Sequence, residues 1–390
     1  MNTLPALTGV RFVAALLVLL YHFVRVPDAF PWVNNLFAEG QRGVEFFFVL
    51  SGFVLGYNYF PRAATLNKQD FWAARVARIA PLYWLSLVVS LPLLGRLLYV
   101  DLRLDHAGAA GYGLLFFIVT VPMLQTLTPL SELAQGWNTP AWSLSIEALC
   151  YLLFPGLVML ARHLNRRQCL AIAMSCIVLL FAFDWLLPHL PQHGTLWGIS
   201  GRWLYRVTPI YNFPMFLTGV VLSRVFLLTD AQAITLLPRH RAAVSAASLL
   251  VSALALSFFA CGWSLEVAPL TTGLSVALFA ALIYLLAHGC GPLAALLGRP
   301  LLMRLGDASF ALYLLQAPLK MYLQQFYSKV LGLQDVQSFA FYLPLVGTAI
   351  VVSLLVHRFF EVPARKRLQG FWTKHAQPAV AVAGHGSAQP

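Results

Sequence analysis

Arg11 and His22 stand eleven residues apart within one apolar run. On a helix that spacing is three turns plus about 20°, so both side chains share a face, with about 16 Å of rise between them. An imidazole titrates near neutral pH and can take a proton from a hydroxyl. Glu45, in GVEFFFVLSGF, and Glu147, in WSLSIE, are carboxylates able to orient such a base. Arg75 and Arg78 are three apart on one helix face, a spacing that suits guanidinium capture of phosphates. Trp142, Ser143 and Ser145 are candidates for contacting substrate or a developing oxyanion. Each also has a plainer reading. Arg11 and His22 can snorkel to opposite interfaces, Arg75 and Arg78 can mark the cytoplasmic side, and Ser51-Gly52 can serve close helix packing.

The elements that carry these residues are apolar runs long enough to cross a bilayer. Eleven can be marked: Leu7–Val24, Gly43–Phe60, Ile79–Leu98, Gly111–Leu130, Trp142–Leu160, Cys169–Leu187, Pro209–Leu228, Ala242–Ala260, Pro269–Ala287, Ala308–Phe326 and Ala340–Phe360. Basic clusters lie at Arg62–Arg78, Arg162–Arg167, Arg239–Arg241, Arg299–Arg304 and Arg365–Arg367. Positive-inside bias puts all five in the cytoplasm, which requires an even number of crossings between each and the next. Three runs separate Arg78 from Arg162, so one of them does not span. Gly111–Leu130 is the one expected to fail, because Pro122, Gln125 and Pro129 interrupt it. The expected fold is an all-α polytopic membrane protein with about ten spanning helices, one re-entrant or interfacial segment, and cytoplasmic termini. His22, Glu45 and Glu147 are then expected at one depth, near the outer ends of three helices. The membrane domain is expected over residues 1–370, with a disordered cytoplasmic tail over 371–390.

Composition excludes other classes. Of 390 residues, 59% are hydrophobic and only 10% charged, far from the roughly 25% charge of a soluble protein. The net charge of +12 falls in short loops rather than on a dense basic face, so no nucleic-acid partner is expected. Cys150, Cys169, Cys176, Cys261 and Cys290 show no ligand spacing and predict neither a metal site nor a disulfide framework. Arg202 and Arg206 fall in an outer loop, where they read as interface residues or as contacts for an acidic polymer.

Six motifs in order resemble the bacterial integral-membrane acyltransferase family 3, which includes glycan O-acetyltransferases. They are Arg11 with His22, Gly43–Phe53 with Glu45 where the family usually has Asp, and Arg75 with Arg78 followed by Pro81–Trp84. Trp142–Glu147, LGDASFALYLLQAPL and FFEVPARKRL complete the set. In the fifth motif Gln316 replaces the family's common His, and Phe310 its common Tyr. The resemblance implies about ten helices in the inner membrane. It also implies transfer of an acyl group, most often acetyl, from acyl-CoA (acetyl-CoA foremost) to a glycan, lipid-linked saccharide or related acceptor outside the cytoplasm. In that scheme Arg75, Arg78 and Arg11 hold the donor, and His22, oriented by Glu45 or Glu147, deprotonates the acceptor. Direct transfer and a covalent acyl-enzyme both remain open. A multi-pass transporter with an Arg/His/Glu pathway is the rival reading, and it predicts internal repeats that the sequence does not display.

Overall fold

A computed structural model describes residues 4–24, 30–128, 131–186, 189, 206–229, 237–262, 271–332 and 339–376. Expectations placed on Arg202 and on 377–390 lie outside these. The described chain is helical: α1 (Pro5–Phe23), α2 (Pro31–Ala38), α3 (Arg42–Tyr59), α4 (Lys68–Val89), α5 (Leu91–Arg96), α6 (His106–Thr120), α7 (Ser131–Gln135), α8 (Trp142–Ala161) and α9 (Arg166–Leu186). It continues with α10 (Pro209–Leu228), α11 (Pro238–Ala260), α12 (Thr271–Ala287), α13 (Gly291–Leu297), α14 (Pro300–Asp307), α15 (Ser309–Lys329), α16 (Phe339–Val356) and α17 (Val362–Ala376). Proline opens several of them, where its missing N–H costs nothing. The Asn67 side chain caps α4, accepting from the Gln69 amide at 2.9 Å.

Seven described helices are long and apolar enough to cross a membrane, or nine if each of two bent pairs is one span. About ten were expected, and α15 is the difference. It has 21 residues, but Gln316, Lys320, Gln324 and Gln325 make it too polar to count by composition. Helices α3 and α10 form the centre, with 67% of their apolar windows buried, against 22% for the lipid-facing α11. Backbones touch where these two central helices meet. A Cβ on Gly52 would lie 2.1 Å from the Phe216 carbonyl, and one on Gly219 would lie 2.0 Å from that of Val49. Only glycine admits this approach.

The fourth apolar run does not span. Helix α6 has 15 residues, about 22 Å, short of a hydrocarbon core of about 30 Å. The chain then turns through Met123, at a left-handed φ of 64°, and 3₁₀ turns at Gln125–Leu127 and Thr139–Ala141. Several of its polar side chains donate within the protein. Gln125 donates to the Ala141 carbonyl at 3.0 Å, Trp137 to that of Leu87 at 2.9 Å, and Asn138 to that of Leu314 at 3.1 Å. Leu314 lies about 22 Å along α15 from Lys329, so this broken segment of short turns runs deep within the bundle, where burial makes it tolerable. At the other end of the chain, α17 continues to Ala376, past the expected domain boundary at 370.

Two outcomes test this architecture. Cysteines placed at Asp101 and Gln135 should both react with an impermeant maleimide from outside the cell; labelling of 135 from the cytoplasm alone would mean that the fourth run spans. Gly52→Val should cost about 1–3 kcal/mol through overpacking, read as a lower melting temperature in detergent. Gly95→Ala, where nothing lies within 4 Å of the new Cβ, should cost nothing measurable.

Candidate functional site

A cavity of about 310 Å³ opens among α1, α3, α4, α8 and α15. Its wall follows the first half of α1 (Leu7, Thr8, Arg11) and most of α3, from Val44 to Tyr59. Arg75 and Arg78 enter from α4, Ser143, Glu147 and Tyr151 from α8, Asp307 from the end of α14, and Tyr313 from α15. Three guanidinium groups and two carboxylates thus share one space within the membrane. That composition suits an anion with an extended apolar arm. The Arg75 guanidinium lies 5.9 Å over the Tyr151 ring and 5.7 Å from that of Phe71, while its Nε is buried without a hydrogen-bond partner. Such a donor is ready for an acceptor.

The Glu147 carboxylate is held from two sides. Ser51 donates to Oε1 at 2.9 Å, and the Tyr151 hydroxyl donates to the same oxygen. Tyr151 follows Glu147 by four residues, so their shared helix face was legible in the sequence; its partnership with Ser51 was not. Arg78, Tyr151, Asp307 and Glu147 are the ionisable groups around Arg11. The cavity therefore collects Arg11, Arg75, Arg78, Ser143 and Glu147 from the expected set.

His22 and Glu45 do not line it. Gly40 abuts Leu17 and Tyr21, and Gly43 abuts Ala14 and Val18, so α1 and α3 run antiparallel with Glu45 level with about Ala14. Glu147, bonded to Ser51, lies six residues along α3 below Glu45, about 9 Å. The single depth expected for His22, Glu45 and Glu147 is thus replaced by three depths. For Glu147 the reason is the buried segment before α8, which starts that helix inside the bundle rather than at the interface; for Glu45 it is the crossing of α1 and α3, which seats Gly43 against Ala14 and Val18. Glu45 is engaged by Arg42 at 2.6 Å, and Arg42 also binds Glu39 at 2.8 Å and Thr272 at 3.0 Å. Asp184 closes this network, accepting from Tyr211 and from the Thr272 amide, each at 2.7 Å.

His22 Nδ1 lies 2.7 Å from the Val18 carbonyl. A carbonyl oxygen only accepts, so Nδ1 carries the hydrogen and Nε2 is the basic nitrogen. Between Arg11 and His22 the shared face is packed shut. Ala15, Leu19, Leu312 and Ala349 form an apolar cluster, with Phe47 and Phe23 against it. At the cavity's end the Tyr313 ring meets Phe47 at 6.3 Å, and its hydroxyl pairs with Ser143 at 2.9 Å. Trp142 packs on Phe48 instead of facing the cavity, and Ser145 anchors the buried segment by accepting from Thr126 at 2.7 Å.

Comparison with known proteins agrees with this architecture. Residues 4–358 match the family described as acyltransferase domain, acyltransferase family 3. The chain is 27% identical to acyltransferase MdmB of Streptomyces mycarofaciens, over 94% of this chain and 92% of that protein. It is 28% identical to exopolysaccharide production protein ExoZ of Rhizobium meliloti, over 71% of this chain and 76% of that one. O-acetyltransferase OatA of Staphylococcus aureus is 26% identical over 41% of this chain, a match that spans only 25% of OatA. No solved structure matches.

Proposed function

Because the chain belongs to acyltransferase family 3 and is a multi-pass membrane O-acyltransferase, we propose that it moves an acyl group, acetyl foremost, from cytoplasmic acyl-coenzyme A to a hydroxyl of a glycan or lipid-linked saccharide outside the bacterial inner membrane. Family membership sets the transporter reading aside. The observation that carries the donor assignment is the convergence of Arg11, Arg75 and Arg78 on one cavity, with the Arg75 Nε buried and unpartnered. Guanidinium groups bind phosphate oxygens through short charge-assisted bonds. Support for a glycan acceptor comes from ExoZ, a relative named for exopolysaccharide production.

In this scheme the cavity opens to the cytoplasm, where positive-inside bias puts the start of α1. The phosphates sit on the arginines, and the pantetheine arm extends along the Arg11–His22 face, whose rise of about 16 Å it can cover. The cluster around Ala15 and Leu312 parts to admit it. His22 Nε2 takes the proton of the acceptor hydroxyl as its oxygen attacks the thioester carbonyl. The C–S bond then breaks, and the thiolate recovers the proton from the imidazolium. The Val18 carbonyl fixes the His22 ring through Nδ1. Glu147 balances the arginines in the cavity, and Glu45 braces the start of α3 through Arg42. Ser143, on the cavity wall, remains a substrate contact, whereas Trp142 and Ser145 support the segment that shapes it.

Arg75→Ala and Arg78→Ala should each weaken coenzyme A binding, measured by calorimetry in detergent. A lost charge-assisted contact costs about 1.5–3 kcal/mol, roughly ten- to a hundredfold in affinity. Unchanged affinity in both variants would reduce the pair to topology markers. His22→Gln keeps size and polarity but cannot accept the proton, so acyl transfer should fall by about 10²–10⁴ while coenzyme A affinity stays within a few fold. Near-normal turnover would remove His22 as the base and make Glu147 the next candidate.

A further inference from the structure

Gln316 is buried at 0% exposure, and neither its Nε2 nor its Oε1 has a hydrogen-bond partner. An amide in that state is costly, because it has given up its hydration without gaining a partner. Other buried side-chain amides nearby are at least partly satisfied. Gln125 and Asn138 each donate to two acceptors. The position of Gln316 explains why it is tolerated. Ser309, Tyr313, Gln316 and Lys320 form one stripe of α15. The stripe begins in the cavity at Ser309 and Tyr313 and reaches the Lys320 ammonium, 4.7 Å over the Phe23 ring.

Helices α1 and α15 run in parallel. Leu312 packs with Ala15 and Leu19, and Lys320 meets Phe23, the neighbour of His22. Gln316 lies between these two contacts and is therefore within about one turn of the depth of His22. It stands on the route that the donor's arm must take from the arginines to the histidine. No other residue of that stripe offers an uncharged N–H pair there.

We propose that Gln316 is a catalytic residue whose side-chain amide N–H groups bind the thioester carbonyl oxygen as it becomes an oxyanion. This rests on acyl transfer taking place at the level of His22. When the acceptor oxygen bonds to the carbonyl carbon, the C=O electron pair moves onto oxygen, and Gln316 Nε2 donates to it. Collapse restores the C=O bond and expels the thiolate, which takes its proton from His22. A neutral amide suits this place, because it solvates transient negative charge without having to be ionised in hydrocarbon. Between turnovers the amide stays unpaired. The cost is carried by the resting protein and recovered only in the transition state.

Gln316→Met separates function from structure, since Met has similar length and no polar group to leave unsatisfied. Transfer from acetyl-coenzyme A should fall about 10²–10³-fold in kcat, the loss typical of one oxyanion donor. Coenzyme A affinity should stay within threefold, and the melting temperature should hold or rise. Gln316→His, which restores an N–H donor, should regain at least tenfold over Met. Met turnover within threefold of wild type, or melting temperature and activity falling together in Met, would overturn the proposal. A wild-type protein that does not bind coenzyme A would instead sink the donor assignment, whatever Gln316 does.

Discussion

Hydrocarbon offers no water, so every polar group beneath the headgroups must be solvated by the protein itself. The rest of the structure follows from how this chain meets that demand. Arg42 is neutralised by Glu39 and Glu45, and Asp184 by hydroxyls and an amide. The result is a polar knot tying α3, α9, α10 and α12 together. The segment between α6 and α8 solves the same problem for backbone. Gln125 ties its turns together through the Ala141 carbonyl, and Trp137 and Asn138 bond carbonyls of α4 and α15. That segment in turn sets where α8 begins, and so how deep Glu147 sits.

A folded membrane protein must also hold its helices without a strong hydrophobic drive between them, since lipid tails are as apolar as leucine. The centre here is held by backbone proximity. Gly52 and Gly219 let α3 and α10 touch, while Gly9 and Gly306 do the same around α1. The cavity survives between such rigid contacts because charged walls cannot collapse on one another: Arg11, Arg75 and Arg78 repel, and Glu147 is kept in place by Ser51 and Tyr151. Beyond the cavity, the packing of Ala15, Leu19 and Leu312 closes what the charged walls leave open.

Much of this was legible in the sequence. Helical spacing places Arg11 on the face of His22, and charge counting identifies 111–130 as the segment that does not span. Arg75 and Arg78 are read correctly as neighbours on one wall. Depth was not legible. Crossing counts assign a residue to a side, but they say nothing of a helix that starts well inside the bundle, as α8 does. For that reason Glu147 looked level with His22. Glu45 was likewise expected level with His22, whereas the crossing of α1 and α3 puts it near Ala14 and Arg42 engages it. Ser51 read as a packing residue beside Gly52, and only the assembled helices bring its hydroxyl to Glu147.

The buried polar groups then fall into two kinds, separated by whether the protein satisfies them. Glu39, Arg42, Asp184 and Thr272 are paired within the fold, and removing one would strand the others, so their work is structural. Arg75 Nε and the Gln316 amide carry unsatisfied donors, as do Ser90, Thr120 and Arg224 away from the cavity. Folding alone would favour an apolar residue at Gln316 and a shorter one at Arg75. What sets Arg75 and Gln316 apart is their position, one on the cavity wall and the other on the stripe of α15 that leads from it, where a ligand could pair with them transiently. On the proposed scheme the two lie at either end of one route, the arginine where phosphate would be held and the amide where charge would develop on a carbonyl. On that scheme, bringing a large anionic donor part-way across a membrane would need binding energy at both points and a closed path between turnovers. Unsatisfied donors separated by a packed apolar layer meet both needs: the layer keeps water and ions out, and the donors reward the one molecule long enough to open it.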